Sequence, residues 1–440
     1  MARLTLVPTN REPAPHALAC ERCLSLYTEV RQTSEAISNR FSTEDHMLQS
    51  MTDASPLRWH LAHTTWFFET FILKPHGSGY ASPDPAFEML FNSYYQAVGP
   101  QWPRDRRGVL SRPSVAEIKL YRRRTDEAME DLIATASQSV LNEVVPLLEI
   151  GIHHEQQHQE LMLTDVKHGL AQNPLVPAVF DVPEPGAGHP APRRAWASFK
   201  GGLREIGHEG EGFAYDCERP RHTVFLRDFR LATRPVSNGE YLDFIEDGGY
   251  ERVSLWLSDG WAQVNAETWR MPLYWLKRDG AFFQYTLHGL APVDPAAPVH
   301  HLSFFEADAF ARWAGKRLPT EAEWEYASAG AEADEGNFLI WPAVDKSPVP
   351  CPADPAPEGE VGQLFGDVWE WTASPYTPYP GFSTVDGALG EYNGKFMSGQ
   401  MVLKGGSCVT PKGHVRRTYR NFFAPASRWQ FSGFRLADDA

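Results

Sequence analysis

The sequence is short of cysteine, of positive charge and of long apolar runs, and each shortage removes a class of protein. Five cysteines in 440 residues, an odd number, do not make a disulfide framework. Cys20 and Cys23 form a C-x-x-C in a helix-like stretch with no second thiol pair nearby, so no metal or redox role is expected there. Lys and Arg total 41 against 56 Asp and Glu, a net charge of −15. That balance argues against a nucleic-acid or anionic-membrane surface, since both need a basic face. No segment is apolar over the length of a membrane span, and "MARLTLVPTNREPAPHAL" lacks the apolar centre of a signal peptide. A cytoplasmic chain without internal repeats is the expectation.

What is present divides into two textures, and the length itself favours two domains. Residues 1–181 read as helical. "SPLRWHLAHTTWFFETFIL" opens with Ser55 as the expected N-cap and Pro56 at the first helical position. "SVAEIKLYRRRTDEAMEDLIATA" opens with Ser114 and Glu117 in capping-box spacing. A fourth helix is expected to end near Gly169, ahead of Pro174. Four such helices predict an antiparallel bundle, a fold that builds metal sites between facing helices. The connection from about 75 to 113 is too long for a simple loop and is expected to carry function. "VPEPGAGHPAPRRA", residues 182–195, reads as a linker. Residues 196–440, dense in Trp, Gly and Pro, predict short strands and long loops. The fold class expected is α+β.

The chemistry begins at "GIHHEQQHQELMLTD", residues 151–165, which contains the H-E-x-x-H of zinc proteases. On a helix, His154 and His158 share a face and can grip one ion. The helical period turns His153 and Glu155 about 100° aside, and carries His168 roughly 15 Å beyond His158. "WHLAH" upstream offers His60 and His63, one of them the expected third ligand. Imidazole suits zinc, iron, nickel and copper alike. The protease reading fails on spacing: Leu161 and Thr164 stand where the longer motif has glycine and histidine. Glu155 is then expected on a polar flank.

The runs "RLPTEAEWEYA" (317–327), "GDVWEWT" (366–372), "KGGSC" (404–408) and "SGFRLA" (432–437) resemble the formylglycine-generating-enzyme-type domain, a modified C-type-lectin-like fold. The copper-binding cysteine pair of true formylglycine generators is missing, because Val409 and Thr410 follow Cys408. The first half resembles a DinB-like four-helix bundle. "SPLRWHLAHTTWFFE" and "HHEQQHQELMLTD" together with the second domain resemble the ergothioneine-biosynthesis sulfoxide synthases, the hercynine oxygenases. The ovothiol counterparts carry a methyltransferase domain besides, for which no chain is expected here.

That resemblance implies an Fe(II) oxidoreductase joining the sulfur of cysteine or γ-glutamylcysteine to C2 of hercynine with O₂. It places the iron on His63, His154 and His158, with His60 as a neighbour, and Gln157 against hercynine. In "FNSYYQAVG" it points to Tyr95 as proton donor, with Tyr94 the alternative. Asn421, Phe422 and Phe423 of "YRNFFAP" match the hercynine-contacting segment, where aromatic faces suit a trimethylammonium group. In "PRDRRGVLSRP", Arg104 and Arg107 fit best among four arginines for the thiol substrate's carboxylate. Three rival expectations share parts of this pattern. They are an imidazole-coupling enzyme using selenium or another thiol, a DinB-type metal-dependent thiol transferase, and a non-catalytic ligand-binding protein.

Overall fold

The computed structural model describes residues 15–180, 191–340 and 348–440, and for 15–21 the backbone alone. The side chain of Cys20 in the C-x-x-C and residues 182–190 of the expected linker therefore lie outside what is described. Four long helices form the first half: α1 (Pro15–Ser38), α2 (Leu57–Phe68), α3 (Val115–Thr135) and α4 (Gln138–Leu170). α1 and α2 each pack on both α3 and α4. The capping box at Ser114 is present, with Glu117 N–H donating to the Ser114 hydroxyl. α4 ends one residue past Gly169.

Ser55 does not cap α2. Pro56 takes that position without a side-chain bond, and the Ser55 hydroxyl instead accepts from Arg107 Nη1 at 2.9 Å. Its N–H donates to Asp165 at 2.8 Å, so both polar groups are spent on the site described below. α2 continues through a π-helical turn, Glu69–Leu73, into a last α-helical segment, Lys74–His76.

α4 approaches α2 closely because Gly151 has no side chain. A methyl group there would lie 2.4 Å from the Phe68 ring. A buried ionic cluster ties three helices behind this contact. Glu155 of α4 accepts from Arg31 of α1 at 2.8 Å and from Arg122 of α3 at 2.5 Å. Glu155 is fully buried, not on a polar flank as the sequence led one to expect, because two guanidinium groups and Ser34 satisfy its carboxylate.

The second half has short strands: β1 (Trp196–Phe199), β2 (Gly202–Ile206), β3 (His222–Leu226), β4 (Phe229–Ala232), β5 (Trp275–Arg278), β6 (Ala281–Thr286), β7 (Gly289–Pro292), β8 (Trp369–Pro375), β9 (Met401–Lys404), β10 (Asn421–Phe423), β11 (Ser432–Gly433) and β12 (Ala437–Asp439). They form sheets ordered β1-β4-β12, β10-β9-β8-β11, β5-β6-β7 and the pair β2-β3. Three sequence signatures meet at one buried carboxylate. Glu370 of "GDVWEWT" accepts from Trp324 Nε1 of "RLPTEAEWEYA" at 2.8 Å and from Arg435 of "SGFRLA" at 2.6 Å. Those motifs hold the domain together rather than acting on a ligand.

The two halves share a buried polar seam. Glu160 on α4 accepts from Trp369 Nε1 and Gln430 at 2.6 Å and from Thr410 at 2.5 Å. No helix among the described residues is long and apolar enough to cross a membrane.

Candidate metal centre and substrate cavity

Close packing of α2 on α4 brings His63, His154 and His158 together. One ligand atom from each lies within 4.8 Å of the others, and all three rings are buried. Burial first, then the neighbouring imidazoles, holds His63 and His158 well below the ordinary histidine range. Burial likewise takes His154 down to about 3. The rings are therefore neutral at physiological pH, the form that ligates a metal.

The outer nitrogens fix which lone pairs face inward. His63 Nδ1 lies 2.6 Å from the Phe91 carbonyl, so it carries the proton and leaves Nε2 as a lone pair. His60 bridges Asp165 (Nε2 to Oδ2, 3.1 Å) and His158 (Nδ1 to Nδ1, 2.8 Å). His60 thus donates to Asp165 and accepts from His158, which leaves His158 Nε2 unprotonated. Such outer bonds orient ligating histidines and raise their basicity. His154 Nδ1 has no partner, while its Nε2 stands 3.1 Å from Nε2 of His63. Neutral nitrogen donors converging in a buried space fit a divalent transition metal.

The remaining histidines of the motif region sit elsewhere. His153 stacks on Phe213 at 4.1 Å, and His168 bonds Ser50 at 2.6 Å. Glu155 is occupied by Arg31 and Arg122 and cannot serve as a base at the cluster.

The cluster opens on a cavity of about 520 Å³ lined from both halves of the chain. Tyr94, Arg104, Arg107, Gln157, Asn421, Phe422 and Phe423 all line it, with His154 and His158. Tyr95 does not line it. That ring is fully buried behind Tyr94, stacked on it at 4.6 Å, and its hydroxyl meets no hydrogen-bond partner among the described residues. Burial raises both phenols, which stay protonated. Arg107 stacks on Trp59 at 3.4 Å, and its Nε has no partner. Burial first, then Arg104, lowers its guanidinium. A buried cation without a carboxylate partner is a seat for an anion. Arg104 is more open and bonds the Asp53 carbonyl.

Sequence reasoning missed Tyr392 and Tyr419. The Tyr392 hydroxyl donates to Gln157 Oε1, and Gln157 Nε2 donates to Tyr419 at 2.7 Å. Both come from loops of the second half, where no regular period marks a residue as inward-facing.

Residues 26–162 match the DinB superfamily and residues 187–440 the sulfatase-modifying factor enzyme 1-like domain. Hercynine oxygenase of Mycobacterium tuberculosis is 33% identical over 410 residues, covering 88% of this chain and 91% of the relative. The chain belongs to the hercynine oxygenase family. A second hercynine oxygenase, from Mycolicibacterium smegmatis, is 32% identical over 420 residues with the same coverage. The formylglycine-generating enzyme of Streptomyces coelicolor is 32% identical but covers 58% of this chain. In this chain, the segment after "KGGS" serves the seam between the two halves. Cys408 is buried with its thiol pushed up by burial, and Thr410 binds Glu160.

Proposed function

We propose that this chain is an O₂-dependent oxidoreductase that joins the sulfur of cysteine or γ-glutamylcysteine to C2 of the hercynine imidazole, giving a sulfoxide. The reaction balances with one O₂: the C2 hydrogen and the thiol hydrogen leave as water with one oxygen, and sulfur keeps the other. The observation that carries the reading is a cluster of three neutral histidines, two of which line a cavity also lined by the doubly held Gln157 and the buried guanidinium of Arg107. Family membership and the two-domain match support it.

His63, His154 and His158 would hold Fe(II), which when bound would supply reactivity toward O₂ and favour the thiolate. The chain's own residues do the rest. Gln157, pinned by Tyr392 and Tyr419, has a fixed amide orientation against which an imidazole can dock. Phe422 and Phe423 offer faces to the trimethylammonium group. Arg107 takes the carboxylate of the thiol substrate, with Arg104 nearer the opening. Holding the two partners side by side removes most of the entropic cost of their meeting. The Tyr94–Tyr95 turn supplies the proton donor: Tyr95 is the phenol the resemblance favours, stacked behind Tyr94, and Tyr94, which lines the cavity, is the alternative.

The test is anaerobic reconstitution with Fe(II), then hercynine, O₂ and the two thiols in competition, read by mass spectrometry. A sulfoxide is expected, and its mass names the donor. Iron binding without coupled product from either thiol would overturn the substrate assignment and move the search to selenium donors.

A further inference from the structure

The segment 388–396 of the second half lies across three parts of the cavity. Tyr392 holds Gln157 of α4. Phe396 meets Tyr94 edge-to-face at 5.2 Å and Phe422 at 5.8 Å. Between them, Glu391 and Lys395 form an ion pair at 2.8 Å, one helical turn apart. This pair touches no cavity histidine and does not line the cavity. Apart from the Phe396 ring, 5.8 Å from the Lys395 ammonium, its partners lie in the turn that carries the two tyrosines. The Glu391 carboxylate accepts from the backbone N–H of Gln96 at 3.0 Å and of Ala97 at 2.8 Å. The Lys395 ammonium donates to the Tyr94 carbonyl at 2.5 Å and sits 4.6 Å from the Tyr94 ring centre.

The Tyr94–Tyr95 turn is therefore held from two sides. From within, Asn92 accepts from the Tyr95 N–H at 2.9 Å and donates to the Tyr95 carbonyl at 2.9 Å. From outside, the ion pair binds one carbonyl and two amides. We infer that Glu391 and Lys395 are positioning residues that hold the Tyr94–Tyr95 turn against the cavity, setting Tyr94 in its wall and the Tyr95 ring stacked behind it. This rests on the functional reading above. It assigns the second half a part in proton delivery besides its part in closing the cavity. A misplaced phenol delivers its proton late, so the fate of the thiol shifts while the binding of either partner does not. The acidic residue keeps its charge against this role: Lys395 and the two backbone amides hold the Glu391 carboxylate below the usual range, although burial acts the other way.

The variants are Glu391→Ala, Lys395→Met and Lys395→Arg in the full chain. Two readouts are needed. Hydrogen exchange at residues 94–99 reports the turn without reference to any reaction, and it should speed up roughly tenfold in Glu391→Ala. The ratio of coupled sulfoxide to simply oxidised thiol should fall about fivefold or more in Glu391→Ala and Lys395→Met, with hercynine affinity unchanged. Lys395→Arg, which keeps the cation and its donors, should restore the ratio. Unchanged exchange in Glu391→Ala would overturn the clamp itself. Faster exchange with an unchanged product ratio would overturn the positioning role. If the unaltered chain makes no coupled product, the functional reading fails, while the exchange result still decides the clamp.

Discussion

At the residue scale, the centre is set by what stands behind each imidazole. His154 and His158 were legible in the sequence because their i, i+4 spacing requires one face. The choice between His60 and His63 was left open on spacing and decided by the resemblance. The structure places His63 in the cluster with its outer nitrogen on the Phe91 carbonyl, whereas both nitrogens of His60 are spent on His158 and Asp165. No periodicity within α2 encodes that difference, since Phe91 ends a separate short helix, Phe87–Phe91, in the connection to α3. His60→Ala should lower metal affinity roughly 10- to 100-fold without removing a ligand. Competitive chelator titration measures it, and unchanged affinity would refute the outer bond. Tyr95→Phe should suppress the sulfoxide in favour of thiol oxidation, and product analysis against Tyr94→Phe separates the two phenols.

At the scale of elements, the helices had been readable from apolar spacing and, for α3, from its capping box, but their separation had not. Gly151 sets it, because Phe68 fills the space a side chain would need. Gly151→Ala should destabilise the fold by about 1–3 kcal/mol through overpacking and weaken metal binding as α4 moves from α2. Denaturant unfolding and the same chelator titration test both parts. Glu155 is the counterpart behind the helices. Burial alone would raise its pKa, yet Arg122 and Arg31 hold it down to about 2. A carboxylate depressed in the fold stabilises above its ordinary 4.5, and that contribution is lost as pH falls toward about 2. Glu155→Gln should cost about 3–5 kcal/mol, flatten the acid limb of the stability profile, and leave the metal in place. Loss of the metal with stability intact would restore Glu155 to the site.

At the scale of the whole molecule, the cavity exists only where the halves meet. The motifs announced the second domain because three of them supply the Trp324, Glu370 and Arg435 that meet in its core. The residues that complete the cavity, Tyr392 and Tyr419, were invisible for the opposite reason: they lie on loops whose positions depend on the partner helix. Tyr392→Phe combined with Tyr419→Phe should free the Gln157 amide and raise the hercynine KM several-fold, on the order of the 1–2 kcal/mol of two lost hydrogen bonds, with metal content unchanged. The long connection carrying Tyr94, Arg104 and Arg107 was expected to bear function. It does place all three in the cavity wall.

The most direct measurement is a turnover with C2-deuterated hercynine under ¹⁸O₂, read by mass spectrometry of the product. The account predicts a coupled product that has lost the deuterium and gained one ¹⁸O on sulfur. Retained deuterium, or a sulfur oxygen without the label, would contradict it.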